Sequence, residues 1–211
     1  MLLKQLVKIK RDQKPSIFFV TGTDTGAGKT FLTCALVREA QAQGISAAGF
    51  KPICCGDRGD ARKLWELTHR QIPLNIINPI WLPHPVAPVA QRSPSWETLL
   101  QQIQHALIQY KTFGIQLILI EGVGGFLCPI TRKHTVRELA EKLGFPILLV
   151  ARNQLGVLNH TLLTLEAIRL AKLKCRAILL NDIGKRKRED HSITTNRKVL
   201  SQLTRLPVYQ V

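Results

Sequence analysis

Along this chain, short continuous apolar runs alternate with longer segments in which apolar residues return every three or four positions. Ile17-Phe18-Phe19-Val20, Leu117-Ile118-Leu119-Ile120 and Ile147-Leu148-Leu149-Val150 show no polar alternation. Strands of that kind are buried on both faces, as in a parallel sheet. The pattern predicts strands at 16–21, 47–50, 117–120, 146–150 and 176–180. From Lys29, residues Phe31, Leu32, Ala35, Leu36 and Ala40 fall on one side of a helix, and Gly44 supplies its stop. Trp96, Leu99, Leu100, Ile103, Leu107 and Tyr110 form a second helical stripe, entered through Ser93 as cap and Pro94 as first helical residue. Further helices are predicted at 61–70, 135–143, 156–172 and 193–203, and 206–211 is left as an apolar tail.

Strands alternating with helices predict an α/β fold: a doubly wound, mostly parallel sheet flanked by helices in three layers. The 211 residues suit a single domain, 1–211, with 1–14 as a basic leader. Prolines 73, 79, 83, 85, 88 and 94 exclude a long regular element between 72 and 94. That stretch reads as an extended, packed loop that shapes a substrate site or an interface, with Trp81 as a packing anchor.

Hydrophobic content of 45% and charged content of 21% exclude bulk disorder. The net charge of +16 is the anomaly. It is concentrated in Lys4, Lys8, Lys10, Arg11 and Lys14 and in the run Lys185-Arg186-Lys187-Arg188. Such runs attract nucleic acid, anionic membranes or small anions, but no aromatic residue is interleaved for base stacking. A solvated basic loop is the expectation, with neither nucleic acid nor membrane as partner. Five cysteines without a Cys-x-x-Cys pair read as reduced thiols. With no signal-peptide core and no membrane-length apolar segment, the expected location is cytoplasmic.

Candidate chemistry starts at Gly22-Thr23-Asp24-Thr25-Gly26-Ala27-Gly28-Lys29-Thr30, between the first strand and the first long helix. Glycine frees the backbone to point several N–H groups into one concavity, and the helix start adds its dipole, so the stretch reads as a phosphate-binding loop. Lys29 reaches toward terminal phosphates and the Thr30 hydroxyl toward Mg²⁺. Five residues separate Gly22 from Gly28, where the common pattern has four.

Lys51 follows the second strand and so falls on the same rim, because ligands in open α/β sheets lie beyond the carboxyl ends of the strands. Asp57 and Asp60 are each candidates for a metal or for a helix N-terminus. Glu121 stands at the tip of a buried strand beside Gly122-Val123-Gly124-Gly125, where burial without a cation would be costly. His160 reads as a base, a phosphate contact or a packing residue. Asn181 reads as an amide that pairs with an adenine edge or as a turn residue. Together Lys29, Thr30, Lys51, Asp60 and Glu121 fit phosphoryl transfer from a nucleoside triphosphate, with Mg²⁺ held by Thr30, Asp60 and Glu121.

The loop at 22–30 resembles the modified phosphate loop of dethiobiotin synthetases, which are ATP-dependent enzymes with a P-loop NTPase-like fold. Lys51-Pro52, Asp60-Ala61, Glu121 to Gly125, Leu155 to His160 and Asn181-Asp182 match the same family in order, from Phe19 to Asp182. The resemblance implies a homodimer that closes a cyclic urea on 7,8-diaminononanoate with CO2 or bicarbonate and ATP. It implies Lys29 and Lys51 as catalytic residues. Gly26, Ala27, Gly28, Lys29, Thr30, Phe31, Asp60, Glu121, Gly122, Val123 and Gly124 serve the nucleotide, with Asn181, Pro207, Val208 and Tyr209 toward its base. Thr25, Lys51, Cys55, Gly124, Gly125 and Asn159 would serve the diamine, with Asn159 reaching across subunits. Gly26 stands where an acid is frequent in the family and Cys55 where a hydroxyl is common. A partitioning-type ATPase switch is the alternative, although Thr23 and Asp24 stand where such switches carry an extra lysine.

Overall fold

The structure, a computed structural model, describes residues 2–6, 15–182 and 191–211. Residues 7–14 of the basic leader and the 185–188 run lie outside the described residues.

A short helix, α1 (Leu2–Leu6), opens the chain, and β1 (Ser16–Gly22) leads to α2 (Lys29–Gln41) and β2 (Ala47–Phe50). Next come β3 (Ile53–Cys55), α3 (Gly59–Glu66), α4 (Leu74–Ile77) and β4 (Ile80–Leu82). The chain continues through α5 (Trp96–Thr112), β5 (Leu117–Glu121), α6 (Val136–Leu143), β6 (Ile147–Arg152), α7 (Val157–Leu170), β7 (Cys175–Asn181), α8 (Ser192–Thr204) and β8 (Val208–Gln210). Six strands form one sheet in the order β2-β5-β1-β6-β7-β8, and every pairing is parallel.

The continuous apolar runs divide between two faces. Phe18 and Val20 of β1, Leu117 and Leu119 of β5, and Leu148 and Val150 of β6 pack with Leu32, Leu36, Val37 and Ala40 of α2. Their neighbours Phe19, Ile118, Ile120, Ile147 and Leu149 pack with Leu99 and Ile103 of α5 and Val136 and Leu139 of α6. Each strand therefore feeds both outer layers, which is why its sequence shows no alternation. On the α5 side, the Tyr110 hydroxyl donates to the Gly49 carbonyl at 2.7 Å, and its ring meets Phe50 edge-on at 5.4 Å. A methyl at Gly49 would come within 2.6 Å of Leu64 Cδ2. The close approach of β2 to α3 places Lys51 and Asp60 on one rim.

Several sequence expectations need correction. The tail at 206–211 contains the sixth strand, β8, which extends the sheet beyond the five expected. The proline-rich stretch holds α4, β4 and a 3₁₀ turn, Pro88–Ala90, and β4 pairs with β3 in a second, two-stranded sheet. The cap of α5 is Ser95, not Ser93, and it accepts from Thr98 N–H at 3.2 Å. Phe31 leaves the buried stripe of α2 and is 50% exposed, because the face directed at the sheet runs through Leu32, Leu36 and Val37. Trp81 is likewise half exposed; its indole donates to the Gly56 carbonyl and its ring faces the Arg58 guanidinium. Within the leader, Leu3 and Leu6 of α1 are buried against the α2 layer. The helix expected at 61–70 is α3, Gly59–Glu66, and ends early because His69 and Arg70 take left-handed backbone. The ends of α6 hold closely: Thr135 and Glu138 form its capping box and Gly144 its left-handed stop.

Candidate active site

β1 ends at Gly22 and α2 begins at Lys29, so residues 23–28 make the connection at the carboxyl edge of the sheet. Gly28 caps α2 with φ 99°, and no side chain caps the helix. The first N–H groups of α2 therefore stay available to an anion. A methyl at Gly22 would meet the Asp24 carbonyl at 3.1 Å and Lys29 Cγ at 3.3 Å. Lys29 Nζ donates to the Asp24 carbonyl at 3.1 Å, folding the lysine over its own loop. Burial, reinforced by the charge of Lys51, lowers the Lys29 ammonium to about 8.

Lys51 leaves β2 directly into the site. Its Nζ lies 2.6 Å from Glu121 Oε1, 3.1 Å from the Gly122 carbonyl and 3.5 Å from Asp60 Oδ2. Thr30 Oγ1 donates to the same Glu121 oxygen at 2.7 Å. Lys51 is 3% exposed and Glu121 fully buried. Burial pulls the Lys51 pKa down, but the Glu121 and Asp60 carboxylates outweigh it and the net shift is upward. Glu121 is the last residue of β5, and Lys51 is the cation that its burial demanded.

The second carboxylate oxygen, Glu121 Oε2, is buried with no hydrogen-bond partner among the described residues. An orphaned carboxylate oxygen costs free energy unless a cation meets it. Among the described residues no three His, Cys, Asp or Glu side chains group into an all-protein metal cage. Mg²⁺ does not need one, since it takes one or two carboxylates together with substrate phosphates and water. Glu121, Thr30 and Asp60 fit that requirement. The Asp57 carboxylate instead accepts from Gly59 N–H at 2.9 Å, at the entry of α3.

A cleft of about 450 Å³ opens above these groups. Thr25, Gly26, Gly28, Lys29, Thr30, Phe31, Lys51, Cys55, Asp60, Val123 and Gly124 all line it, which brings most of the predicted site residues together. Ala27, Glu121 and Gly122 are buried and do not line it. Gly125 lines a neighbouring hollow with Thr23, Asp24, Leu127 and Leu163. Asn159 is exposed on α7 and lines neither hollow. Pro207, Val208 and Tyr209 lie at the far edge strand, where the Val208 side chain packs with Leu200 and Leu180 and its carbonyl accepts from Arg197. The Asn181 amide is buried and donates to the Ala27 carbonyl at 3.0 Å.

Pro85, Val86 and Ala87 form one wall of the cleft, as expected of a proline-rich stretch that shapes a substrate site. Other contributors had no sequence signal: Cys54 and Cys128 join Cys55 in lining it. Burial raises the Cys55 thiol to about 11, so it is neutral at physiological pH. Asn78 is fully buried: its amide donates to the Lys51 and Ile80 carbonyls at 2.8 and 2.9 Å, and its oxygen accepts from Arg58 Nε at 2.8 Å. No local pattern marks Asn78, because its partners lie in three different segments.

A family model described as an AAA domain matches residues 17–209. The ATP-dependent dethiobiotin synthetase of Akkermansia muciniphila is 37% identical over 192 residues, covering 90% of this chain and 89% of that protein. The enzyme of the same description from Anaeromyxobacter dehalogenans strain 2CP-1 is 40% identical over 191 residues, covering 88% of this chain and 84% of that protein. Among solved structures, the kinase domain of the Escherichia coli tyrosine kinase ETK superposes with a TM-score of 0.57 at 16% identity, covering 85% of this chain and 72% of that one, a likeness of fold alone. With relatives this similar along nearly its whole length, the chain belongs to the ATP-dependent dethiobiotin synthetase family.

Proposed function

We propose that this protein closes the ureido ring of dethiobiotin from 7,8-diaminononanoate, CO2 and ATP. One amine attacks CO2, forming a C–N bond and releasing a proton, and leaves a carbamate. A carbamate oxygen then attacks the γ-phosphorus of ATP and expels ADP, giving a carbamic-phosphoric anhydride. The second amine attacks the carbonyl carbon, and inorganic phosphate departs as the ring closes. The observation that carries this reading is the Lys51–Glu121–Thr30 cluster, whose Lys51 and Thr30 line the same cleft as the loop at 22–30 while the buried Glu121 Oε2 has no partner among the described residues.

Lys29 and Lys51 balance charge on the carbamate and on the phosphoryl group in flight, so catalysis rests on positioning and electrostatics. Thr30, Asp60 and Glu121 hold Mg²⁺, which when bound supplies charge neutralisation to the triphosphate. Thr25, Cys55 and the glycines at 124 and 125 face the diamine. A second copy of the chain completes the site: Leu127 and Leu163 are exposed and line the hollow at Gly125, and apolar surface of this kind is covered in a homodimer that carries Asn159 toward its neighbour. Five unpaired cysteines, and the lack among the described residues of any helix long and apolar enough to cross a membrane, fit a cytoplasmic enzyme.

Incubation with the diamine, bicarbonate, Mg²⁺ and a panel of nucleotides tests the reading. Phosphate release that requires both diamine and bicarbonate, with a cyclic urea product, is expected; nucleotide hydrolysis indifferent to both would refute it.

A further inference from the structure

We propose that Arg58 is a positioning residue for Asp60: its guanidinium fastens the start of α3 to the backbone of Lys51 and so fixes where the Asp60 carboxylate stands against that lysine. The inference deepens the reading above and rests on it only in taking Asp60 as one of the groups that serve Mg²⁺.

Arg58 holds a backbone conformation that a side chain disfavours. It caps α3 at φ 63° and ψ 16°, in the left-handed region, and its side chain makes no capping bond. A residue with a Cβ is uncommon there and persists where its surroundings hold it. The turn itself is local: Asp57 Oδ1 accepts from Gly59 N–H at 2.9 Å, and the Arg58 carbonyl accepts from Arg62 N–H at 3.0 Å. The side chain reaches much further. Its Nε donates to Asn78 Oδ1 at 2.8 Å, and Nη2 donates to the Asn78 carbonyl at 2.6 Å and to Asn75 Oδ1 at 3.1 Å. The guanidinium carbon lies 5.8 Å from the centre of the Trp81 ring. Glycine would suit this turn better, whereas the planar fork of arginine grips the side chain and the carbonyl of Asn78 together.

Asn78 passes that grip to the catalytic lysine. With its oxygen taken by Arg58, the buried amide turns its nitrogen to the Lys51 carbonyl at 2.8 Å, and Lys51 N–H donates to the Ile77 carbonyl at 2.8 Å. Lys51 Nζ lies 3.5 Å from Asp60 Oδ2, and Asp60 stands two residues beyond Arg58 on α3. The circuit is closed: Arg58 to Asn78, Asn78 to Lys51, Lys51 to Asp60, and Asp60 back along the helix to Arg58. The Asp60 side chain is 44% exposed, against 4% for its ion-pair partner Lys51. Its place is therefore set by that lysine and by where α3 begins, and Arg58 joins the two.

Mn²⁺, a paramagnetic stand-in for Mg²⁺, tests the proposal when titrated by electron paramagnetic resonance into the full chain with a non-hydrolysable ATP analogue. The proteins are wild type, Asp60→Asn, Arg58→Gly and Arg58→Lys, and each Arg58 variant combined with Asp60→Asn. Arg58→Gly suits the left-handed turn and removes the fork; Arg58→Lys removes the fork and keeps the charge. Both should weaken Mn²⁺ binding by on the order of tenfold, the usual loss when the support of a metal ligand is removed. Neither should weaken it further once Asp60 is Asn, because Arg58 acts through that carboxylate. An arginine that serves the fold alone would lower the melting temperature and leave Mn²⁺ affinity unchanged, and that result overturns the proposal. Losses that multiply in the double variants overturn it as well. If thermal melting shows that Arg58→Gly does not fold, the Arg58→Lys pair decides by the same two criteria. Asp60→Asn with wild-type Mn²⁺ affinity would refute the metal reading of Asp60 and the proposal with it, whereas a loss in Asp60→Asn without one in the Arg58 variants would refute the proposal alone. Binding is read without turnover, so a missing cyclic urea product would count against the cyclo-ligase reading and not against the role of Arg58.

Discussion

Lys51 and Glu121 meet at the carboxyl ends of two adjacent parallel strands, with the ammonium 2.6 Å from one carboxylate oxygen. Phe50 and Ile120 are register partners, so the next residue of each strand falls at the same level of the sheet rim. The pairing follows from sheet geometry, and burial turns it into a commitment: neither charge can be removed alone without stranding the other.

Substitution of Lys51 is accordingly expected to do more than stop catalysis. Lys51→Met should abolish turnover and lower the unfolding free energy by about 3–5 kcal/mol, because Glu121 stays buried and unpaired. The double variant Lys51→Met/Glu121→Gln should regain most of that stability and none of the turnover. Urea denaturation of the two variants beside a turnover assay checks this, and a single variant as stable as wild type would refute it.

Lys29 gives a pH-dependent expectation. Its folded-state pKa of about 8 lies below the ordinary 10.5. Between those values the unfolded chain binds more protons than the folded one, so this group makes stability rise as the pH climbs from 8 to 10.5 and contributes nothing further above that window. Below pH 8 its buried charge costs about 3 kcal/mol. Lys29→Met, with no charge to bury, should be the more stable protein at pH 7 and lose its advantage over wild type by pH 10.5. Denaturation curves at the two pH values decide, and a constant difference would contradict the prediction.

Asn78 should couple stability to catalysis. Asn78→Leu leaves the Lys51 and Ile80 carbonyls without their donor, at about 1–3 kcal/mol each. Because Lys51 loses its backbone anchor, kcat should fall by more than tenfold while KM for ATP changes little. Steady-state kinetics that instead show KM alone rising would place Asn78 outside this role.

The contact of Gly49 with Leu64 predicts a non-additive pair. Gly49→Ala forces a methyl against Leu64 and should cost about 1–3 kcal/mol by overpacking. Leu64→Ala should cost about 2–5 kcal/mol by leaving a cavity. Together they should cost clearly less than the sum, since the new methyl enters the space vacated. Strict additivity, measured by denaturant titration, would show that the two do not share that space.

The sequence disclosed the architecture where physics was local. Strands β1, β5, β6 and β7 are continuous apolar runs, and two-faced burial leaves little else for such runs to be. The cap and stop of α6 follow from Thr135, Glu138 and Gly144 within one helix. The cluster of Lys29, Thr30, Lys51, Asp60 and Glu121 was legible because strand-end chemistry in a parallel sheet converges on one rim. Non-local pairing was hidden. β3, β4 and β8 have only three residues each and exist through their partners, so nothing within Val208–Gln210 declares a sixth strand. Phe31 misled because helical spacing fits two adjacent faces, and contact with the sheet chose the one through Leu32. Asn78 and the contact of Asn181 with Ala27 depend on partners far along the chain, which no periodicity marks.

Oxygen tracing tests the central claim most directly. When ¹⁸O-labelled bicarbonate is supplied with the diamine and ATP in a single turnover, before its oxygens wash out into water, carbamate attack on the γ-phosphorus predicts that the inorganic phosphate released with the cyclic urea carries one ¹⁸O. Phosphate that carries oxygen from water alone would mean that ATP is hydrolysed and not used to activate a carbamate, and would contradict the account.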